Sequence, residues 1–385
     1  MSIKKLLAFT GIRSDYDLMS GLYRKIIQDR SIEMALIVSG AHLSPTYGYT
    51  VRNIENDGIP ILARIETLLD ANSAASRLKS ASILLQNCLH TVQAYRPDLI
   101  IYAGDREEVI VGGLTGAFLK IPTVHFFGGD HAADGNVDNC IRHAASKLSS
   151  VHFVSHYTHK ERLMKMGEKS ERIFVIGSPA LDKFINTRRI NKKRLMKQMG
   201  RQDWDKYALV IFHPILGCEV NAGVYFEQIL AALRAEGINA FISYPNSDAG
   251  NKDIIEVIRN HSADNQFCFY KNLGRETFIN LMRHALFMIG NSSVGLVEAP
   301  IIPLPAINVG IRQQGRLAAD NVLFVEQHVE SIKQAISSVL SDEFQNNLKN
   351  LQSPYGDGHS VERAFGLLAE LDFQKFVYKA EDPLL

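Results

Sequence analysis

Short, β-rich apolar runs alternate with amphipathic stretches along most of the chain. The runs Lys5–Thr10, Met34–Ser39, Asp98–Tyr102, Thr123–Phe127, His152–Ser155 and Ile173–Ile176 read as strands. Between them, Leu18–Gln28, Ala75–Tyr95 and Val109–Leu119 carry helical patterns. Such alternation predicts a parallel sheet with helices on both faces. After Asp182 the pattern starts again. The basic, polar stretch Asn186–Asp205 reads as a connecting helix and linker. The runs Tyr207–His213, Ala240–Tyr244, Phe267–Tyr270, Leu286–Ile289 and Ala306–Val309 follow as strands, and Val361–Val377 reads as helical. The expected fold is α/β, with two Rossmann-like, doubly wound domains over 1–185 and 186–360. A final segment, 361–385, holds a helix able to cross back onto the first domain. Sheets of this kind bind ligands at the carboxyl ends of their strands, which predicts an interdomain cleft.

Composition narrows the class without naming it. With 385 residues the chain can bury two full cores. Its 42 basic and 41 acidic side chains leave no excess for nucleic acid. The basic start, Met1–Thr10, breaks at Gly11 and Arg13 and is expected to be a first strand rather than a signal sequence. No apolar run is long enough to span a bilayer. Cys88, Cys140, Cys218 and Cys268 are scattered without a CxxC pair, which predicts free thiols and a cytoplasmic protein. A homo-oligomer, dimer or tetramer, is the expected assembly.

The polar, glycine-bearing segments fall just after predicted strands. Gly290-Asn291-Ser292-Ser293 follows the apolar Ala285–Ile289, and Glu298 lies one helical turn further on. Small residues let a backbone close on an anion, helix-start amides bind phosphate, and an acid further in can hold a ribose. A serine-capped turn is the structural alternative. After the first strand, Gly11, Arg13 and Asp15 suit a diphosphate, although the loop is not GxGxxG. Ser39–Ser44 places His42 after the next strand, and Ala103–Glu108 places Asp105 where it is either an acid–base group or a helix cap. The densest cluster runs from His125 to His143 and includes Asp130, His131, Asp134, Asp138 and Arg142. Several acids in one loop can divide acid and base work. Ligand spacing for a metal is absent, so no metal is expected. In the second half, His213 ends a strand, Asn246 and Asp248 shape or line a turn, and Arg312 and Arg316 suit anion contacts.

In combination and order, these pieces resemble the hydrolysing UDP-N-acetylglucosamine 2-epimerases of sialic-acid and nonulosonic-acid synthesis. The matching segments are Thr-Gly-x-Arg-x-Asp at Thr10–Asp15, Gly-Asp-Arg at Gly104–Arg106 and Gly-Gly-acid at Gly128–Asp130. They continue with Ile-Arg-His at Ile141–His143, His-Pro at His213–Pro214 and Tyr-Pro-Asn-x-Asp-Ala-Gly at Tyr244–Gly250. Gly-Asn-Ser-Ser at Gly290–Ser293 and Arg-Gln-x-Gly-Arg at Arg312–Arg316 complete the series. The resemblance implies a GT-B arrangement and a UDP-2-acetamido sugar as substrate. It also implies elimination of UDP to a glycal, then hydration that releases the C2-inverted sugar, with no redox cofactor and no metal. Carried over, Asp105, Asp130 and Asp138 become catalytic carboxylates in unassigned order, and His213 assists proton transfer or grips the diphosphate. Arg13, Ser292 and Ser293 would hold the diphosphate and Glu298 the ribose. Asp15, His42, Arg142, Asn246, Asp248, Asn291 and Arg316 complete the candidate substrate contacts. One departure stands out: the family has glutamate after the paired glycines, and here it is Asp130. That shorter acid leaves Asp134 or Asp138 as alternatives and admits a 2,4-diacetamido sugar. A non-hydrolysing epimerase, a GT-B glycosyltransferase and an inactive sugar-nucleotide-binding regulator remain the competing readings.

Overall fold

The computed structural model describes residues 4–29, 31–69, 74–133, 135, 137–215, 217–246, 248 and 250–380. Among these, thirteen strands form two sheets, and the recorded strand pairs are parallel. In the first, β1 (Lys4–Thr10), β2 (Ile32–Ser39), β3 (Ile61–Ile65), β4 (Leu99–Ala103), β5 (Thr123–Phe126), β6 (Val151–Val154) and β7 (Ile173–Val175) lie in the order β3-β2-β1-β4-β5-β6-β7. In the second, β8 (Tyr207–Ile211), β9 (Asn239–Ser243), β10 (Phe267–Tyr270), β11 (Met288–Gly290), β12 (Ala306–Val309) and β13 (Val322–Val325) run β10-β9-β8-β11-β12-β13. Both orders reverse direction after the first-formed strand, between β1 and β4 and between β8 and β11. At such switch points a doubly wound sheet opens a crevice at its strand ends.

Each sheet belongs to one compact unit. The first unit comprises Met1–Asp130, Val137–Lys183 and Tyr355–Leu385, and the second His131–Asn136 and Phe184–Pro354. Alternation within β1 shows how the first core is built. Leu6 and Ala8 join Tyr16, Met19, Leu22 and Ile26 of helix Arg13–Gln28, while Leu7 and Phe9 pack with Leu84, Cys88, Val92 and Val109 on the opposite face. A strand covered on both faces reads as a continuous apolar run, which is why β1 and β4 stand out in the sequence. Helix Ser360–Glu370 packs on the same face as helix Arg13–Gln28 through Val361, Ala364 and Leu368. The Asp182 carboxylate accepts the Ser360 and Val361 amides at 3.0 and 2.8 Å, satisfying two donors of the helix start.

Three local expectations change. Strands β3 and β13 were not anticipated. Both are edge strands: Ile61–Ile65 carries Arg64, and the only helical element between β12 and β13 is the three-residue turn Ile311–Gln313, so the alternation that marks the other strands is missing. The predicted helix Val361–Val377 stops at Glu370, and Asp372 caps a separate turn, Phe373–Phe376, by accepting the Gln374 amide at 3.2 Å. Within Asn186–Asp205 the helix is confined to Lys192–Gln198.

Candidate active site

In the first unit the loops after β1 and β4 flank the switch point. Asp15, the third residue of helix Arg13–Gln28, turns back on the loop before it. Its carboxylate accepts the Gly11 amide at 2.9 Å and the Thr10 hydroxyl at 2.5 Å. His42 is fully buried; its Nε2 meets the Thr10 hydroxyl at 3.0 Å and its Nδ1 the Thr50 hydroxyl at 2.8 Å. Both were candidate substrate contacts. In the structure both brace the loop after β1 through these hydrogen bonds. Burial opposes ionisation of Asp15, but His42, Glu108 and the Gly11 amide hold its pKa below the usual carboxylate value. Glu108 is the counterpart that the sequence did not single out. Burial, then the Asp15 charge, pushes its pKa well up beneath the loop. A β-carbon on Gly11 would lie 2.6 Å from Glu108 Oε2, so a side chain here would displace the Glu108 carboxyl. Arg13 is exposed at the start of the helix and makes no hydrogen bond or ion pair with the protein among the described residues.

The carboxylates of the first unit sit in contrasting settings. Asp105, just past β4, is paired with Arg142, whose other nitrogen donates to the Phe127 carbonyl at 2.8 Å. Arg142, a candidate substrate contact, thus bridges Asp105 and the loop backbone. Asp138 lies in the first turn of helix Val137–Leu148 and receives Arg77 at 3.1 Å. Arg77 also pairs with Glu107. Burial, then the charge of Asp105, raises the Asp138 pKa, while Arg77 and Arg106 oppose the rise. Asp130 is 5% exposed, and its Oδ1 lies 3.6 Å from His159 Nε2. The turn that presents it needs glycine, since a β-carbon on Gly129 would fall 2.3 Å from the His159 carbonyl at φ +76°. Asp134, the alternative acid, lies outside the described residues. Between Asp130 and Asp138 the chain visits the second unit, where the Ala133 amide donates to the Gln314 carbonyl at 2.8 Å. His125, within the dense polar cluster, is buried and held by Ser146 and the Gly104 carbonyl, both at 2.9 Å. Burial lowers its pKa to about 3, so it acts as neutral scaffolding.

In the second unit the loops after β8 and β11 meet at the other switch point. Asn291 is fully buried. Its Oδ1 accepts the His213 amide and its Nδ2 donates to the His213 carbonyl, both at 2.8 Å. The side chain, a candidate substrate contact, thereby locks the two loops together. Gly290 has φ +139°, and a β-carbon there would lie 2.0 Å from the Ile211 carbonyl oxygen, so the loop closes this tightly only with glycine. Asn246 and Asp248 bond each other at 2.7 Å, and the Asn246 amide donates to His213 Nδ1 at 3.2 Å. Nδ1 is therefore an acceptor, which places the ring proton on Nε2. Burial and the Arg312 guanidinium lower the His213 pKa to about 3 against the pull of Asp248. The ring is neutral at pH 7, and its Nε2–H makes no protein hydrogen bond among the described residues.

Ser292 and Ser293 are half-buried at the start of a helix of four residues, Val294–Val297. Glu298 lies buried at that helix's end, and Pro300, which lacks an N–H, helps keep it short. Arg312 donates to the Asn291 carbonyl at 3.2 Å, and Arg316 donates to Gln313 Oε1 at 2.9 Å.

Doubly wound sheets whose switch-point loops present tight glycine turns, acids and arginines define a nucleotide-binding α/β protein. The comparisons specify it further. The chain belongs to the UDP-N-acetylglucosamine 2-epimerase family, whose model matches residues 24–369, and it is an epimerase. A UDP-N,N'-diacetylbacillosamine 2-epimerase (hydrolyzing) of Legionella pneumophila is 33% identical over 366 residues, 95% of this chain and 96% of that protein. A GDP/UDP-N,N'-diacetylbacillosamine 2-epimerase (hydrolyzing) of Campylobacter jejuni is 33% identical, covering 90% of each. In fold, the chain matches the crystal structure of the Neisseria meningitidis UDP-GlcNAc 2-epimerase bound to UDP-GlcNAc. The TM-score is 0.80 at 17% identity, over 95% of this chain and 100% of that one, which shows the GT-B-like fold. Among the described residues no helix is long and apolar enough to cross a membrane.

Proposed function

We propose that the protein is a hydrolysing 2-epimerase of a UDP-2-acetamido sugar, with a 2,4-diacetamido sugar as the preferred substrate. The observation that carries the mechanism is the split between Asp105 and Asp138. One carboxylate is fixed by Arg142; the other, raised in pKa by burial and by that first charge, is the better proton acceptor. In this reading Asp138 takes the C2 proton, the C1–oxygen bond breaks, and UDP leaves with the bonding pair, giving a C1=C2 glycal. Water then adds oxygen to C1, and C2 is reprotonated from the opposite face. Asp130 is assigned to proton transfer in the hydration half.

His213 fits the departure of UDP. A neutral imidazole with its proton on Nε2 donates a hydrogen bond to a diphosphate oxygen and cannot accept the C2 proton through that atom. Arg13, Ser292, Ser293 and Arg316 are assigned to the diphosphate and Glu298 to the ribose. The substrate choice is supported by the names of the two relatives at 33% identity and by the shorter acid at Asp130. The test is turnover in deuterated water across a panel of UDP and GDP 2-acetamido sugars, with products read by mass spectrometry. Expected are free UDP and a sugar carrying one deuterium at C2, formed fastest from the 2,4-diacetamido substrate. Full turnover without deuterium there would end the elimination mechanism, and an obligatory acceptor would make the protein a glycosyltransferase.

A further inference from the structure

The stretch Thr187–Arg201 carries seven cations, Arg188, Arg189, Lys192, Lys193, Arg194, Lys197 and Arg201, and no acid, in a chain whose formal net charge is only +1. Part of it walls an open basin of about 570 Å³ in the second unit, lined by Arg188, Arg189, Asn191, Arg194 and Gln198, with Glu276 as the one acid. That volume suits a nucleotide-sized ligand rather than a single ion. Arg188, Arg189 and Arg194 have no carboxylate partner among the described residues. Arg283 adds a further positive charge nearby. It is held by the Thr187 and Phe184 carbonyls, and burial together with the Arg189 charge lowers its pKa.

Local physics disfavours this arrangement. Lys192, Lys193 and Arg194 fill the first turn of helix Lys192–Gln198, where the backbone dipole favours acids, and that turn contains none. Only Lys192 finds relief, from Asp205 at 3.3 Å. Residues that break a local rule without compensation inside the fold mark functional positions. Guanidinium groups are the side chains best shaped to grip phosphate with paired hydrogen bonds.

We propose that this basin is a second anion site, separate from the switch-point loops, that binds a diphosphate-bearing ligand through Arg188, Arg189 and Arg194. It does not depend on the proposed reaction. The test titrates inorganic pyrophosphate and, separately, UDP into the full chain by calorimetry. The wild type is compared with Arg188→Ser/Arg194→Ser, with the matching Lys pair, and with Ser293→Asp, which places a negative charge in the loop assigned to the substrate diphosphate. Pyrophosphate affinity should fall at least about 10-fold in the Ser pair, partly recover in the Lys pair and persist in Ser293→Asp. Basal turnover should be unchanged in the Ser pair. UDP should show two sites in the wild type and one in the Ser pair; pyrophosphate binding with a single UDP site would identify the inorganic ion as the ligand. Equal pyrophosphate affinity in wild type and Ser pair, or its loss in Ser293→Asp alone, would overturn the proposal. Retention on anionic phospholipid vesicles without pyrophosphate binding would also overturn it and give the surface to a membrane.

Discussion

Replacing Arg77 with Met tests whether Asp138 is the titrating group of the reaction. Arg77 lies 3.1 Å from the Asp138 carboxylate and is one of two cations that oppose the rise in its pKa. At a charge separation of about 4 Å, the pair is worth about 1 kcal/mol in water and about 4 kcal/mol at the dielectric of a protein surface. Both side chains are partly exposed, at 39% and 26%, so solvent screening brings the value toward the lower end, about 1–2 kcal/mol. One pKa unit corresponds to 1.36 kcal/mol, so the Asp138 pKa should rise by about one unit. A base works as the carboxylate. Removing the cation therefore moves the acid limb of the kcat/KM profile to higher pH by about one unit. Arg77→Lys should leave the limb within a few tenths. Arg77 also holds the Glu107 pKa down against burial, so Glu107→Gln is the control and should not move the limb. A limb that stays in place in Arg77→Met, or moves to lower pH, would refute the assignment of Asp138.

Asp105→Asn and Asp138→Asn should each reduce turnover at least about 10²-fold, while UDP affinity measured by calorimetry changes little. Gly290→Ala should destabilise the second unit by about 1–3 kcal/mol or more, read as a lower thermal midpoint, because its β-carbon collides with the Ile211 carbonyl at a left-handed φ. Glu168 opposes burial through His152 at 2.9 Å and Lys379 and Lys147, each at 2.7 Å, which bring its pKa down to about 2 from 4.5. A depressed carboxylate stabilises the fold above its unfolded pKa and loses that contribution as pH falls through the folded value. Glu168→Gln should therefore cost about 3 kcal/mol in urea denaturation at pH 7, and the difference from wild type should shrink between about pH 5 and pH 2.

Buried strands were legible because a strand covered on both faces is apolar throughout: Ala306–Val309 has the bounds the sequence suggested. Of the four edge strands, β7 and β10 were legible from their apolar runs, whereas β3, which carries Arg64, and β13, with only a three-residue helical turn between it and β12, were not. The positions of the site loops followed from strand ends, but the work of individual side chains did not. Asn291, His42 and Arg142 are polar and sit in the right loops, and each bonds a neighbour remote in sequence, whereas Asp15 bonds Thr10 and Gly11 close by. Asn291 bonds His213, 78 residues away, and Arg142 bonds Asp105, 37 residues away. A sequence shows which atoms can donate or accept; only the folded chain shows which are already satisfied. Arg77 and Glu108 were missed for the same reason. Each resembles an ordinary charged helix residue until its partner is in place.

The neutral state of His213 limits how any pH profile can be read. With its pKa lowered to about 3 by burial and by Arg312, the His213 ring of the unliganded protein is neutral at pH 7. In that state His213 does not set a limb of the kcat/KM profile near neutral pH. It can keep one donor aimed at a departing diphosphate, because the Asn246 amide fixes the tautomer. Asp138 is shifted in the other direction, toward the window where a limb would be seen. The two shifts share a leading cause, burial, acting on groups of opposite charge type: it disfavours the cation on the histidine and the anion on the aspartate. Under the proposed assignments, one group is a constant hydrogen-bond donor and the other a titratable base. If activity instead followed a group protonated in this window and lost in His213→Asn but not in Asp138→Asn, both assignments would have to be exchanged.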